Sequence, residues 1–132
     1  MKKPTKRLPP LSPSGYEELE RGAAIAKCLA NPKRLGIVEA LAVAERTVGD
    51  LARHLGIASQ VVSVELRIMK ELGAVSARRE HPEVYYRLAD GRLSDAAMLL
   101  RQVADQRIKS GASIPLSLTR KREERRRTGP HS

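Results

Sequence analysis

The side chains best suited to recognition lie between residues 59 and 70, in the segment SQVVSVELRIMK. On a helix with Val62, Leu66 and Met69 turned to a core, Gln60, Val61, Ser63, Val64 and Arg67 face outward, and Lys70 joins them. Glutamine and arginine pair bidentately with the edges of adenine and guanine, serine serves either, and a valine methyl suits the methyl group of thymine. A solvated amphipathic helix is the plain alternative. Two outward valines argue against it, because a solvated face more often carries charge. Arg78, Arg79 and His81 form a second set, placed to reach a flanking groove or the phosphate backbone. For His81 an ordinary exposed turn position is the alternative.

The elements that hold these residues are read from spacing and punctuation. A first helix is expected from about Tyr16 to Leu29, with Ser14 as cap and Ala24, Ile25, Cys28 and Leu29 on its apolar side. Asn31-Pro32 starts a second, Asn31 as N-cap and Pro32 where a missing N–H is harmless. It carries Leu35, Val38, Leu41 and Ala42, and Gly36 inside it marks close packing. Thr47 and Asp50 resemble a capping box for a short third helix, which Gly56 ends. Ser59 would cap the fourth, which ends at Gly73. Two short helices joined by a glycine-containing turn have the helix-turn-helix form.

After Gly73 the period changes to two. Val75–Arg79 and Val84–Leu88 read as strands, closed by the loop Glu80-His81-Pro82-Glu83. A last helix is expected from near Ser94 to about Lys109. Its stripe of Ala97, Leu100, Val103 and Ala104, widened by Met98, Leu99 and Ile108, needs a cover, and a partner subunit is the simplest one. The fold class expected is mainly α with a small β-hairpin, α+β overall. Residues 15–110 form the domain, between a flexible basic arm (1–14) and a flexible basic tail (111–132).

The 132 residues, 30% charged and 41% hydrophobic, suit one soluble domain. The net charge of +10 is concentrated at the ends. Residues 1–14 carry +4, residues 111–132 another +4, and the middle only +2. Such ends imply a polyanionic partner, held by salt-sensitive contacts blind to sequence; keeping the protein soluble is the other reading. No run reaches the roughly 18 to 20 apolar residues of a membrane helix, and the basic N-terminus has no apolar stretch behind it. A cytoplasmic location is the default expectation. With one cysteine the chain holds no internal disulfide. No nucleophile and base stand in a recognisable motif, and no glycine-rich phosphate loop occurs, so no enzyme is expected. The absence of Phe and Trp counts against RNA recognition by stacking.

Three segments, CLANPKRLGIVEAL (28–41), TVGDLARHLGIASQVVSVELRIMKELGAV (47–75) and RREHPEVYYRL (78–88), together resemble the ArsR family of bacterial winged helix-turn-helix repressors. The resemblance runs from about Ala24 to Leu88. It is most similar to the metal-independent members, such as the rhizobial nodulation repressor. It implies a homodimer built on the first and last helices, an operator with two-fold symmetry, a recognition helix at 59–72 and a wing at 78–86. The family's soft-metal sensors place a Cys-x-Cys pair where this chain has Thr47 and Gly49, and others use Asp and His on the last helix, which here has Asp95 and Asp105 but no His. No metal and no cofactor are therefore expected.

Two residues stand apart. Glu65 occupies a position where the family has His, and as a DNA-facing carboxylate it would repel phosphate or accept from a cytosine amino group. Cys28 reads either as a buried small hydrophobe or as a redox sensor pairing with its counterpart in a second subunit. The expected function is sequence-specific binding of double-stranded DNA as a transcriptional repressor, with no membrane involved and no effector named by the residues. The rivals are a winged-helix module that docks on a protein and a sequence-independent nucleoid-type binder driven by the ends.

Overall fold

The computed structural model describes residues 6–116. Five helices and one hairpin follow in the order α1 (Pro13–Ala26), α2 (Pro32–Val43), α3 (Val48–Leu55), α4 (Ser59–Glu71), β1 (Val75–Glu80), β2 (Glu83–Leu88) and α5 (Arg92–Lys109), with a 3-10 turn at Lys27–Leu29. The chain divides into two units, one ending at Ala97 and the other starting at Met98.

In the first unit, α1 begins earlier than its periodicity suggests. Ser12, not Ser14, is the N-cap; its Oγ accepts from the Gly15 N–H at 3.0 Å, and Pro13 takes the first helical position. The helix also ends earlier, at Ala26, and the chain tightens into the 3-10 turn before Asn31-Pro32 resets it. No residue of α1 is buried, and Tyr16, Leu19 and Ile25 are exposed.

The core starts at Cys28 and continues through Ile37, Val38 and Leu41 of α2, Leu51 and Ala52 of α3, and Val62, Leu66 and Met69 of α4. Ala74, Val75, Leu93 and Ala97 complete it. Asn31 caps α2 with Oδ1 accepting from the N–H groups of Lys33 (2.9 Å) and Arg34 (3.3 Å). Ala42, expected on the buried side, is exposed. Gly36 sits where an added Cβ would lie 2.6 Å from Cδ2 of Leu55, so its lack of a side chain lets α3 close on α2.

A reciprocal capping box starts α3. The Asp50 N–H donates to Thr47 Oγ1 at 3.1 Å, and the Thr47 N–H donates to Asp50 Oδ2 at 3.4 Å. Gly56, at φ +67°, ends the helix in the left-handed region. The N-cap of α4 is Ala58, which has no side chain to bond with, and Ser59 is already the first helical residue. Its expected capping role is thus corrected.

The strands pair antiparallel from Val75↔Leu88 to Glu80↔Glu83, leaving His81 and Pro82 as the turn. Arg46, between α2 and α3, adds a bridge: its N–H donates to the Tyr86 carbonyl (3.1 Å) and its carbonyl accepts from the Tyr86 N–H (2.8 Å). The hairpin is thereby tied to the helices along one edge.

The second unit, as far as it is described, holds α5 from Met98 onward. There Met98, Leu99, Leu100, Val103 and Ile108 are exposed. The chain leaves the helix through Gly111 at φ +87°. Much of the tail expected at 111–132, including its basic run, lies outside the described residues.

Candidate nucleic-acid interface

The helical period of α4 sorts its residues as its sequence predicts, with two exceptions. Val62, Leu66 and Met69 are buried, while Gln60, Ser63, Val64, Arg67 and Lys70 are exposed. Val64 keeps 44% of its surface, an open apolar spot among polar side chains. Gln60, Arg67 and Lys70 engage no intramolecular side-chain hydrogen bond or ion pair among the described residues. The first exception is Val61, which is half-buried and not part of the open face.

The second exception is Glu65. Expected to face outward, it is buried, its side chain 7% exposed. Its Oε2 accepts from Arg34 Nη1 at 2.8 Å, and Arg34 is itself only 16% exposed. The remaining guanidinium nitrogens reach back to the 3-10 turn: Nη2 donates to the Lys27 carbonyl at 2.8 Å and Nε to the same oxygen at 3.3 Å. A carboxylate this deep needs a partner, since desolvating a lone charge is prohibitive. No buried side-chain nitrogen or oxygen is left unbonded among the described residues.

The hairpin also divides its arginines. Arg78 and Arg79 are neighbours in sequence and so point to opposite faces. The Arg78 guanidinium bonds Glu45 (2.7 Å) and Glu80 and lies over the Tyr85 ring, 5.0 Å from its centroid. Hydrogen bonding from Arg78 holds the Glu45 carboxyl below its ordinary value, and the two carboxylates raise the Arg78 pKa in turn. Arg87, on the same face, donates from Nε to Ser76 Oγ at 3.1 Å. Arg79 and the turn residue His81 are exposed.

Cys28 is fully buried. Burial pushes its thiol pKa up, with Arg34 opposing in part, so the thiolate that redox chemistry needs is disfavoured. Thr47 is engaged as the cap of α3, and Gly49 offers no ligand atom. Among the described residues no three His, Cys, Asp or Glu side chains gather where they could hold a metal ion.

Sequence reasoning missed four contributors: Arg34, Glu45, Arg46 and Arg87. Their partners lie 31, 33, 40 and 11 residues away, and no local period reports such pairings.

Two short helices packed across a glycine turn, followed by an antiparallel hairpin bridged to the α2–α3 connection, make this a winged helix-turn-helix. The family model described as "Bacterial regulatory protein, arsR family" matches residues 31–77. The nodulation protein NolR of Rhizobium meliloti is 36% identical over 77 residues, 58% of this chain and 63% of that protein. A probable mercury resistance operon repressor of Streptomyces lividans is 37% identical over 82 residues, 62% of this chain and 66% of that protein. Among solved structures, a homodimeric winged helix-turn-helix DNA-binding domain from Mycobacterium bovis, a possible ArsR-family transcriptional regulator, superposes with a TM-score of 0.67. It is 31% identical, and the match covers 82% of this chain and 100% of that one. The chain belongs to the ArsR family of bacterial regulatory proteins. It spans less than two thirds of the length of such curated relatives, down to 40% for a regulator of Mycobacterium tuberculosis.

Proposed function

We propose that this chain is a homodimeric repressor that reads a specific double-stranded DNA operator with α4 and acts in the cytoplasm, without metal, cofactor or catalysis. The observation that carries this reading is the open side of α4. Gln60, Ser63, Val64 and Arg67 present base-reading groups on a rigid helix, with Lys70 beside them for phosphate. No side chain caps the N-terminus of α4, so its first N–H groups can take a backbone phosphate as the helix enters the major groove. Arg79 and His81 extend the contact from the hairpin. Arg78 is paired with Glu45 and Glu80, so a phosphate contact from it would have to displace a carboxylate. The exposed apolar residues of α1 and of α5 would each be covered by a second copy, and the similar Mycobacterium bovis domain is itself homodimeric. Among the described residues no helix is long and apolar enough to cross a membrane. No effector is assigned: Thr47 and Gly49 offer no thiolate, and the last helix carries Asp95 and Asp105 without a histidine, a pattern that fits the nodulation-repressor branch.

A module that docks on a protein would be favoured by a DNA-facing carboxylate and by the near-neutral stretch 15–110; burial of Glu65 against Arg34 removes the first of these and leaves the second. The test is operator selection from genomic fragments, followed by gel shifts on the selected duplex and on a random duplex. The parent is expected to prefer its operator, and Arg67→Ala to lose about 5- to 150-fold of that preference, the usual value of one bidentate base contact. Equal binding to every duplex by the parent would make it a nucleoid-type binder. Equal preference in parent and variant would move the reading face off Arg67.

A further inference from the structure

The ion pair beneath α4 is more than a neutralised charge. Arg34 grips the Lys27 carbonyl with two nitrogens and Glu65 with the third, so one planar group joins the 3-10 turn, α2 and α4. A guanidinium fixes the directions of its bonds, whereas a flexible ammonium would not. Glu65 is flanked in sequence by Val64, on the open side, and Leu66, in the core. Its tether therefore adds a directional restraint on the rotation of α4 about its own axis to the one supplied by packing of Val62, Leu66 and Met69. Rotation sets where Gln60, Ser63 and Arg67 point, and base edges discriminate only when donors and acceptors meet in register.

We propose that Glu65 and Arg34 are positioning residues for operator reading: the buried pair sets the rotation of α4 and so aligns the base-reading side chains, without either residue touching DNA. This rests on the DNA-reading function proposed above and adds the residues that tune its specificity. It also follows that a glutamate is tolerated on the recognition helix because its charge is turned inward and matched before any duplex arrives.

Three variants test it: Glu65→Gln, Arg34→Lys, and the double variant Arg34→Met/Glu65→Leu. Each is compared with the parent on the selected operator and on a random duplex of equal length, beside thermal unfolding and sedimentation. In the double variant no charge is left buried alone, and the Lys27 carbonyl still accepts from the Ala30 N–H, so stability should approach that of the parent. The expected result is a preference for the operator reduced on the order of tenfold in all three. Affinity for the random duplex and its salt dependence should stay unchanged, because neither residue meets a phosphate. Recovery of the preference together with stability in the double variant would reduce the pair to a structural role and overturn the proposal. A rise in affinity of Glu65→Gln for every duplex would place Glu65 against DNA and overturn it equally. Absence of any preference in the parent would instead defeat the DNA-reading function itself, and the proposal with it.

Discussion

Glu65, Arg34, Arg78 and Asp90 are all ionisable, and all four are engaged within the chain. Asp90 shows the consequence for pH. Hydrogen bonds from the Arg92 side chain, and then from the Arg92 backbone N–H, lower its carboxyl pKa from 3.8 to about 2. The folded value lies below the unfolded one, so the contribution to stability is complete above the unfolded value and is lost as pH falls through the folded value. Asp90→Asn should therefore be less stable than the parent near neutrality. The gap in melting temperature should shrink as pH falls from about 4 to about 2, the window between the two values. Thermal unfolding of both proteins across that range checks this, and a gap that persists undiminished at the acid end would show that the ion pair contributes nothing. Both groups are exposed at this site, so added salt should narrow the gap as well.

At the scale of elements, local chemistry decides where helices stop and distant chemistry decides how they are held. Asn31, Thr47, Gly56 and Gly73 acted as their types imply, because a cap is made within three or four residues. Ser14 reads as the cap of α1 by type, but Ser12 takes that role, with Pro13 in the first helical position. The period of α4 placed Gln60, Ser63, Val64 and Arg67 outward, but period alone could not place Glu65. Its partner Arg34 lies on another helix, and an acidic residue at a flanking position reads as solvent-facing until that partner is known. The same holds for Arg46, whose backbone bridge to Tyr86 depends on the hairpin being folded. The capping box of α3 is the clearest local device. Thr47→Ala removes the bond to the Asp50 N–H and should cost about 1 kcal/mol. Denaturant unfolding should show a lower midpoint with an unchanged slope. A changed slope would mean that α3 frays as a separate unit. Thr47 lies outside the reading face, so operator preference per folded molecule should hold.

For the whole molecule, the placement of charge makes affinity and specificity separately testable. Residues 15–110 have a net charge of only +2, so under the proposed function this stretch would attract a duplex weakly from afar and discriminate through α4 at contact. Residues 111–132 add +4, from Arg120, Lys121, Arg122, Arg125, Arg126 and Arg127 against Glu123 and Glu124, a run that lies outside the described residues. Each phosphate such a run neutralises steepens the fall of log affinity against log salt by about 0.9. Deleting 119–132 should therefore flatten that slope and weaken binding to operator and random duplexes by a similar factor, leaving their ratio nearly as it was. Fluorescence titrations at four or five salt concentrations on both duplexes measure slope and ratio together. An unchanged slope would assign the tail to solubility alone. A ratio that collapses with the slope would mean that the tail takes part in reading the operator, so that discrimination does not reside in α4 and the wing alone.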